Sequence, residues 1–456
     1  MNKVKEAEYS YLASGKAKRF QAGVAQGMDY QYNERDWLTK INNTNLLPQA
    51  DSGHDGINRV TSKDKYAMAI GYNTLALIGS SQNPPAQFNG NISWIAYNMS
   101  GVTYTGAHGR TSLVGTTYKY DHANRLTGAD FGYNKDTLWR TTPAYDEQDW
   151  RYDKIGNILS VERWGAGCDT VPPVVALTSR DSFPTVSIVA DSIHLSTSYV
   201  VPAGAIDNYA AATEIRLGTG YLAEAGSYVV AAISQPLITK RMDSLTYNYS
   251  SGNSHLTSIT DIVSANTYTT DLDNQPANNY SYDGNGNMIS DLQNRIDSII
   301  YDYRNLPLKL KRNGVWTTMR YDASGSRIYK STPGGQTLYY VPDASGKTIA
   351  VLNSDGSVRM LNAYGLDNIG FMTVSYQPSR VNTRYYYLKD HLGSIKMTVN
   401  SGGNITSYDD FYPFGMVMEE DLGIVGSRMR GTNSRARRET SRAGMIIWGR
   451  GIMMPE

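Results

Sequence analysis

The sequence predicts an all-β protein, a curved antiparallel sheet of successive β-hairpins interrupted by a small inserted β module. Three observations carry this prediction: a short unit recurs along the chain, tyrosine far outnumbers phenylalanine (35 against 7), and helical periodicity is scarce.

The recurring unit is an aromatic-x-Tyr alternation, an Asp or Asn, a short spacer with Gly or Asn, and an aliphatic restart. It reads DYQYNERDWL from Asp29 to Leu38, TYKYDHANRL from Thr117 to Leu126 and DWRYDKIGNI from Asp149 to Ile158. Further copies are TYNYSSGNSHL from Thr246, YSYDGNGNMI from Tyr280, IIYDYRNLPLKL from Ile299 and MRYDASGSRI from Met319. Gly, Asn and Asp tolerate the positive φ that a two-residue hairpin turn demands, so each copy predicts strand, tight turn, strand. A lone hairpin is marginal in water, so the copies are expected to lie edge to edge in one winding sheet. Restart residues such as Leu126, Ile158, Met288 and Ile328 should share a face with the preceding tyrosine or with a neighbouring hairpin. Only Lys3 to Ala17 and Asp36 to Asn42 are left open as short helices.

Charged residues make up 19% of the chain, the formal net charge is +1 and the mean hydropathy is −0.44. That composition predicts a soluble, polar β protein with a diffuse core. Tyrosine suits a half-wet sheet, because its ring packs while its hydroxyl finds a polar partner. The single cysteine, Cys168, excludes an internal disulfide framework and a cysteine metal cluster. The start of the chain lacks the apolar run of a signal peptide, and no stretch approaches eighteen apolar residues. Because the chain opens in repeat-like sequence without a cap, it is expected to be the C-terminal part of a longer protein.

The repeat pattern stops at Gly165-Ala166-Gly167-Cys168. From Asp169 to Gln235 the sequence turns to Val, Ser, Thr and Ala in short runs bounded by Pro and Gly, which predicts a separable β module. Five segments follow: repeats over 1–165, the inserted module over 166–236, repeats over 237–383, a motif-bearing segment over 384–418, and a basic tail over 419–456.

The units resemble the YD repeats of the RHS family of bacterial proteins, found also in insecticidal toxin complexes and teneurins. The stretch from Tyr385 to Met416, YYYLKDHLGSIKMTVNSGGNITSYDDFYPFGM, is similar to the RHS-repeat-associated core. The matching parts are Tyr387, the run Asp390, His391, Leu392, Gly393 and Ser394, the turn Gly402-Gly403-Asn404, and Tyr412, Pro413, Phe414 and Gly415. The resemblance implies a non-catalytic shell that encloses and delivers a C-terminal toxin, at the cell surface or outside the cell. It implies toxin cargo or further repeats as partners. A surface glycan-binding adhesin and a non-functional remnant are the alternative functions. A small nuclease in the tail would require acidic residues or histidine there, and no histidine follows residue 391.

Candidate chemistry is sparse. Asp283 to Asn287 offers oxygen ligands at alternate positions, but the twelfth position of a calcium-loop frame is Asn294 where a Glu is needed, so a hairpin turn is expected. The six histidines show no pair at metal-ligand spacing, and no metal or cofactor is expected. Asp390, His391 and Ser394 are neighbours in sequence, which does not make a triad; His391 is expected to be a hydrogen-bonded interior residue. Asp409 and Asp410 should point to opposite sides of a strand and serve as turn and surface residues. Trp37, Trp94, Trp150, Trp164 and Trp316 could stack on sugar rings or act as cross-strand packing pairs. Carbohydrate is therefore a possible partner, whereas nucleic acid and a membrane span are not expected.

The tail from Ser427 to Glu456 holds seven Arg against two Glu, and tyrosine vanishes after Tyr412. Back-translation of Arg430 to Pro455 with permitted codons, read in a shifted frame, gives RYKFTGKERDVESGYDYLGARYYDA. That string resembles the tyrosine-rich end of the RHS core, so the tail is expected to be a frameshifted reading, unable to pack against the sheet.

Overall fold

A computed structural model describes residues 5–57, 62–73, 86–104, 113–135, 138–141, 145–165, 175–177, 185–195, 199–203, 205–217, 221–225, 227–233, 240–263, 272–376, 381–418 and 422–424. Among these residues there is no α-helix, and so none long and apolar enough to cross a membrane. The expected single sheet is two large antiparallel sheets of thirteen strands each, neither closed into a barrel. The first runs from strand Ala7–Tyr11 to strand Leu256–Asp261, and the second from Tyr280–Tyr282 to Ile405–Tyr408. Both stretches left open as helices contain strands instead, Ala7–Tyr11 and Leu38–Ile41. Alternation of Tyr9 and Tyr11 with polar residues suits a half-buried strand better than a helix face.

The repeat turn is longer than the two residues expected. At Asp153 the backbone N–H donates to Asn157 O at 2.9 Å, and the carboxylate Oδ1 accepts from Ile155 N and Asn157 N, both at 2.9 Å. Gly156 adopts φ 99° at the position before the chain re-enters the strand. This is a turn followed by a left-handed residue, the three-residue hairpin loop whose bulge carries the right-handed twist. It recurs with the same Oδ1 contacts at Asp121, Asp283, Asp302, Asp322, Asp343 and Asp390. Asp283 to Asn287 is thus one of these turns, the hairpin turn expected of it. The donors hold several of the carboxyls below the usual range: Arg125 N–H at Asp121, the Asn287 side chain at Asp283, and the Ser324 and Ser345 hydroxyls at Asp322 and Asp343.

Each repeat tyrosine joins its hairpin to the one before. Tyr152 Oη donates to Leu126 O at 2.7 Å, Tyr249 Oη to Ile158 O at 2.8 Å and Tyr282 Oη to Leu256 O at 2.9 Å. Tyr301 reaches Met288 O at 2.7 Å and Tyr321 reaches Pro307 O at 3.0 Å. The acceptors are the restart residues of the preceding hairpins, a bond that phenylalanine in place of tyrosine would not make. Leu126, Ile158 and Met288 lie directly opposite Tyr120, Tyr152 and Tyr282 and so share their face; opposite Tyr321 stands Arg327, not Ile328.

The stretch between strands Ile158–Gly165 and Lys240–Tyr249 folds differently. Gly165 pairs with Lys240 and Trp164 with Arg241, so the first sheet continues across the gap. Strands Val175–Leu177, Thr185–Leu195, Ile206–Leu217 and Tyr228–Ile233 pair parallel, and Val200–Val201 pairs parallel with Leu222–Ala223. Strands of the two small sheets alternate along the chain, as in the coils of a β-helix. Ile193, Leu195, Tyr199, Val201, Ala205 and Tyr209 fill the space between them.

Candidate functional site

The feature that sets this chain apart from a plain hairpin array is the segment 381–418, which turns onto the first sheet. Tyr386, Leu388, Met397, Val399, Tyr412 and Met418 share one buried core with Phe20, Met28, Met68, Tyr97 and Phe131 of that sheet. This is the largest apolar cluster among the described residues, and most of its wall is contributed by strands more than 250 residues away in sequence.

The run from Asp390 to Ser394 is another repeat turn, closed by Asp390 N to Ser394 O at 2.9 Å with Gly393 at φ 88°. Leu392 at its tip is exposed. His391 is half-buried, and its Nδ1 is buried without a hydrogen-bond partner, contrary to the expected hydrogen-bonded interior residue. Burial lowers its pKa, with Asp390 opposing and Lys396 reinforcing. Tyr387 packs its ring at 5.8 Å from Phe371, on the face opposite Tyr386.

Tyr412, Pro413, Phe414 and Gly415 form a tight turn, with Tyr412 N donating to Met416 O and Gly415 N to Tyr412 O, both at 2.8 Å. Proline presets the first turn position, and Gly415 takes φ 86°. The turn delivers two aromatics into the wall. Tyr412 Oη donates to Trp164 O at 2.9 Å, and Phe414 lies 4.2 Å from the Trp150 ring.

Asp410 corrects the expectation of a surface residue. It is fully buried, accepts Tyr97 Oη at 2.6 Å and pairs with Lys396 Nζ, itself buried and lying 4.7 Å from the Tyr97 ring centroid. Asp409 is half-buried, its N–H donating to Lys396 O at 3.0 Å. Two strand ends and the wall thus converge on one buried ion pair, which fixes the seat of the segment. A second clamp lies at the other end, where Glu6 accepts Arg384 Nε at 2.7 Å and Tyr386 Oη at 2.9 Å.

Two further buried ionic groups escaped sequence reasoning. Arg163 lies between Glu147 at 2.6 Å and Asp243 at 3.0 Å, tying together three strands on both sides of the insertion. Arg19 binds Asp29 and Asp55, beside Asp51 and Asp64. Asp29, Asp51 and Asp55 lie close enough to hold a cation, but the guanidinium already serves two of them. Burial pushes Asp29 up to about 6 and Asp64 up to about 9. Only the spacing Asp51, Asp55 and Asp64 hinted at this group, and nothing local in sequence marks Arg19 as its partner.

Of the candidate stacking residues, Trp94 and Trp150 are buried and present no ring to solvent. Trp94 lies under Gly71, where an added Cβ would meet the indole at 2.0 Å. Trp37 is half-buried between Arg35 and Tyr72, Trp164 lies beside Arg241, and Trp316 is half-buried on the second sheet. Within the tail, Leu422–Ile424 pairs antiparallel with Val102–Tyr104, contrary to the expectation of a tail that does not pack; the tail beyond residue 424 and Cys168 lie outside the described residues.

No family model matches the sequence, and no curated protein matches it. Among solved structures, the chain is similar to the crystal structure of TcdB2-TccC3-TEV, at 11% identity and a TM-score of 0.44, over 92% of this chain and 17% of that one. It is also similar to the Tc holotoxin pore of Photorhabdus luminescens, at 11% identity and a TM-score of 0.41, over 90% of this chain and 17% of that one. A third likeness is TcdB2-TccC3 without its hypervariable C-terminal region, at 13% identity and a TM-score of 0.24, over 91% of this chain and 22% of that one. The chain therefore spans about a sixth to a fifth of the length of these structures.

Proposed function

We propose that this chain is a non-catalytic wall segment of an RHS/YD-repeat shell, with residues 384–418 as the inward-turned core that helps to enclose a toxin cargo for delivery outside the cell. The observation that supports it most is the seating of Tyr412, Phe414 and Asp410 on the first sheet, which joins wall and core into one body. Such a wall isolates its contents by geometry and needs no reacting group, consistent with the turn and packing roles of the motif residues. Further repeats of a longer parent protein are the expected neighbours in the chain.

The test is protease protection. The parent gene, expressed with its downstream cargo, should yield a cargo digested at least about tenfold more slowly than the free cargo, a difference erased by Tyr412→Ala. Equal digestion rates of enclosed and free cargo would sink the shell reading.

The tail belongs to the same proposal. An insertion or deletion between about Met418 and Arg430 would convert the tyrosine-rich end of the core into the arginine-rich string. Sequencing the gene decides this: if the nucleotides of Arg430 to Pro455 do not encode RYKFTGKERDVESGYDYLGARYYDA in another frame, the tail is a true basic extension.

A second role, glycan binding at the surface, is favoured by a separate observation on the second sheet.

A further inference from the structure

Four consecutive strands of the second sheet, Pro307–Arg312, Val315–Tyr321, Arg327–Ser331 and Thr337–Pro342, contain no aspartate or glutamate. Of the carboxylates nearby, Asp302, Asp322 and Asp343 stand in the turns and are engaged by turn donors, and Asp297 on the neighbouring strand accepts Gly314 N at 3.0 Å. Register assigns the strand side chains to faces. Lys311 lies opposite Trp316 and Lys309 opposite Thr318; Arg320 lies opposite Tyr329, and Tyr329 opposite Tyr339. Cross-strand partners and alternate residues share a face, so Lys309, Lys311, Trp316, Arg320, Tyr329 and Tyr339 lie together. Lys309, Arg320 and Tyr339 are exposed, and the other three are half-buried.

The same face continues through the ladder to Arg384 and Tyr386. There it is covered, with both residues bonded to Glu6. Over strands 307–342 none of the apolar clusters among the described residues reaches it. Among the described residues this part is thus a surface of cations and rings.

We propose that this face binds an acidic polysaccharide, one sugar ring lying on Trp316, the Tyr329 and Tyr339 hydroxyls donating to its neighbours and its carboxylates or sulfates meeting Lys309, Lys311 and Arg320. Charge complementarity selects a polyanion, because three cations share the face with no carboxylate. The state of the rings selects a sugar. Arg320 lies 5.1 Å over the Tyr329 ring, and Tyr329 and Tyr339 are tilted by 59° at 5.4 Å, so a nucleobase has no free parallel stack to enter. Phenol hydroxyls and a guanidinium supply instead the donors that sugar hydroxyls and carboxylates accept. This inference does not rest on the shell reading: it stands on the cations and rings of four strands, and its test involves no cargo.

The experiment is affinity electrophoresis and biolayer interferometry of the full chain against polygalacturonate, alginate and heparin, with dextran as neutral control. Oligo-dT and polyglutamate represent the other polyanions. Expected is binding to at least one acidic polysaccharide and none to dextran, weakened by salt. Trp316→Ala should weaken it by about tenfold, and Lys309→Glu with Lys311→Glu should abolish it. Circular dichroism and melting temperature should match the parent, since these side chains lie outside the core clusters; Trp316→Phe, which keeps a ring, should restore most of the affinity. Failure to bind any acidic polysaccharide overturns the proposal. So does equal or tighter binding of oligo-dT or polyglutamate, or undiminished binding by the folded variants.

Discussion

The two large sheets are built from the same hairpin unit, yet the middle of each holds its side chains in a different way. Every residue of strand Tyr66–Gly71 and of strand Trp94–Met99 in the first sheet is buried. In the second, strands Arg327–Ser331 and Val358–Tyr364 are half-buried at every position. The first sheet is covered by the core segment and holds the ion groups of Arg19 and Arg163; the second over this stretch is a single layer. The comparison teaches that ladder hydrogen bonds, aspartate-closed turns and tyrosine-to-carbonyl links suffice to build a wall. A hydrophobic core appears only where another part of the chain folds onto it.

The largest expected effect comes from breaking the buried ion pairs, one where the core segment meets the first sheet and one within the first sheet. Asp410→Ala strands the Lys396 ammonium, and Arg163→Met strands two carboxylates; each should cost about 3–5 kcal/mol in denaturant unfolding. The equivalent charge removal on the second sheet, Lys309→Met, should change stability by less than about 0.5 kcal/mol. Similar losses in both sheets would end the comparison.

A second contrast is in pH dependence. The carboxyls of Asp64 and Asp29 are raised by burial, to about 9 and about 6, above an unfolded value of 3.8. The native state then holds protons that the unfolded chain has released, so this contribution is complete below pH 3.8 and declines as pH rises toward about 9. The turn aspartates are lowered, so their contribution is present above the unfolded value and fades as acid protonates them. Melting temperature measured from pH 4 to 9 should therefore fall with pH, and Asp64→Asn should flatten that slope. An unchanged slope in the variant would place the titration elsewhere.

Smaller effects test the links between hairpins. Tyr249→Phe removes the bond to Ile158 O across the insertion, and Tyr321→Phe the bond to Pro307 O; each should cost about 1 kcal/mol. Equal costs would show that the link works the same whether or not a core lies beneath it.

The smallest effect is expected from removing residues 166–239 and joining Gly165 to Lys240 through Asn-Gly. These residues already face each other in the ladder, as a hairpin turn requires. Protease resistance and melting of the wall should be nearly unchanged; collapse would make the inserted coils part of the wall.

Much of the hairpin architecture was legible in sequence because it is local. Asp153, Gly156 and Tyr152 announce turn, left-handed residue and strand end within five positions, and period-two alternation marks the strands around them. The exact turn type was not legible, since the same Gly and Asn serve two- and three-residue loops. The parallel coils of the insertion were hidden for a related reason: short apolar runs between Pro and Gly look alike whether their partners run parallel or antiparallel. The segment over 384–418 was marked only by resemblance, and its contacts were not legible.

By itself, then, the sequence determined the β class, the repeat and the interruption after Gly165, all of which follow from backbone preferences and spacing. Tertiary structure alone decided that Asp410 is buried while Leu392 is exposed, and that Arg19 and Arg163 each neutralise carboxylates from distant strands. The physical reason is that burial and ion pairing depend on which strands meet across the fold, and a repeated local signal says the same thing at every copy.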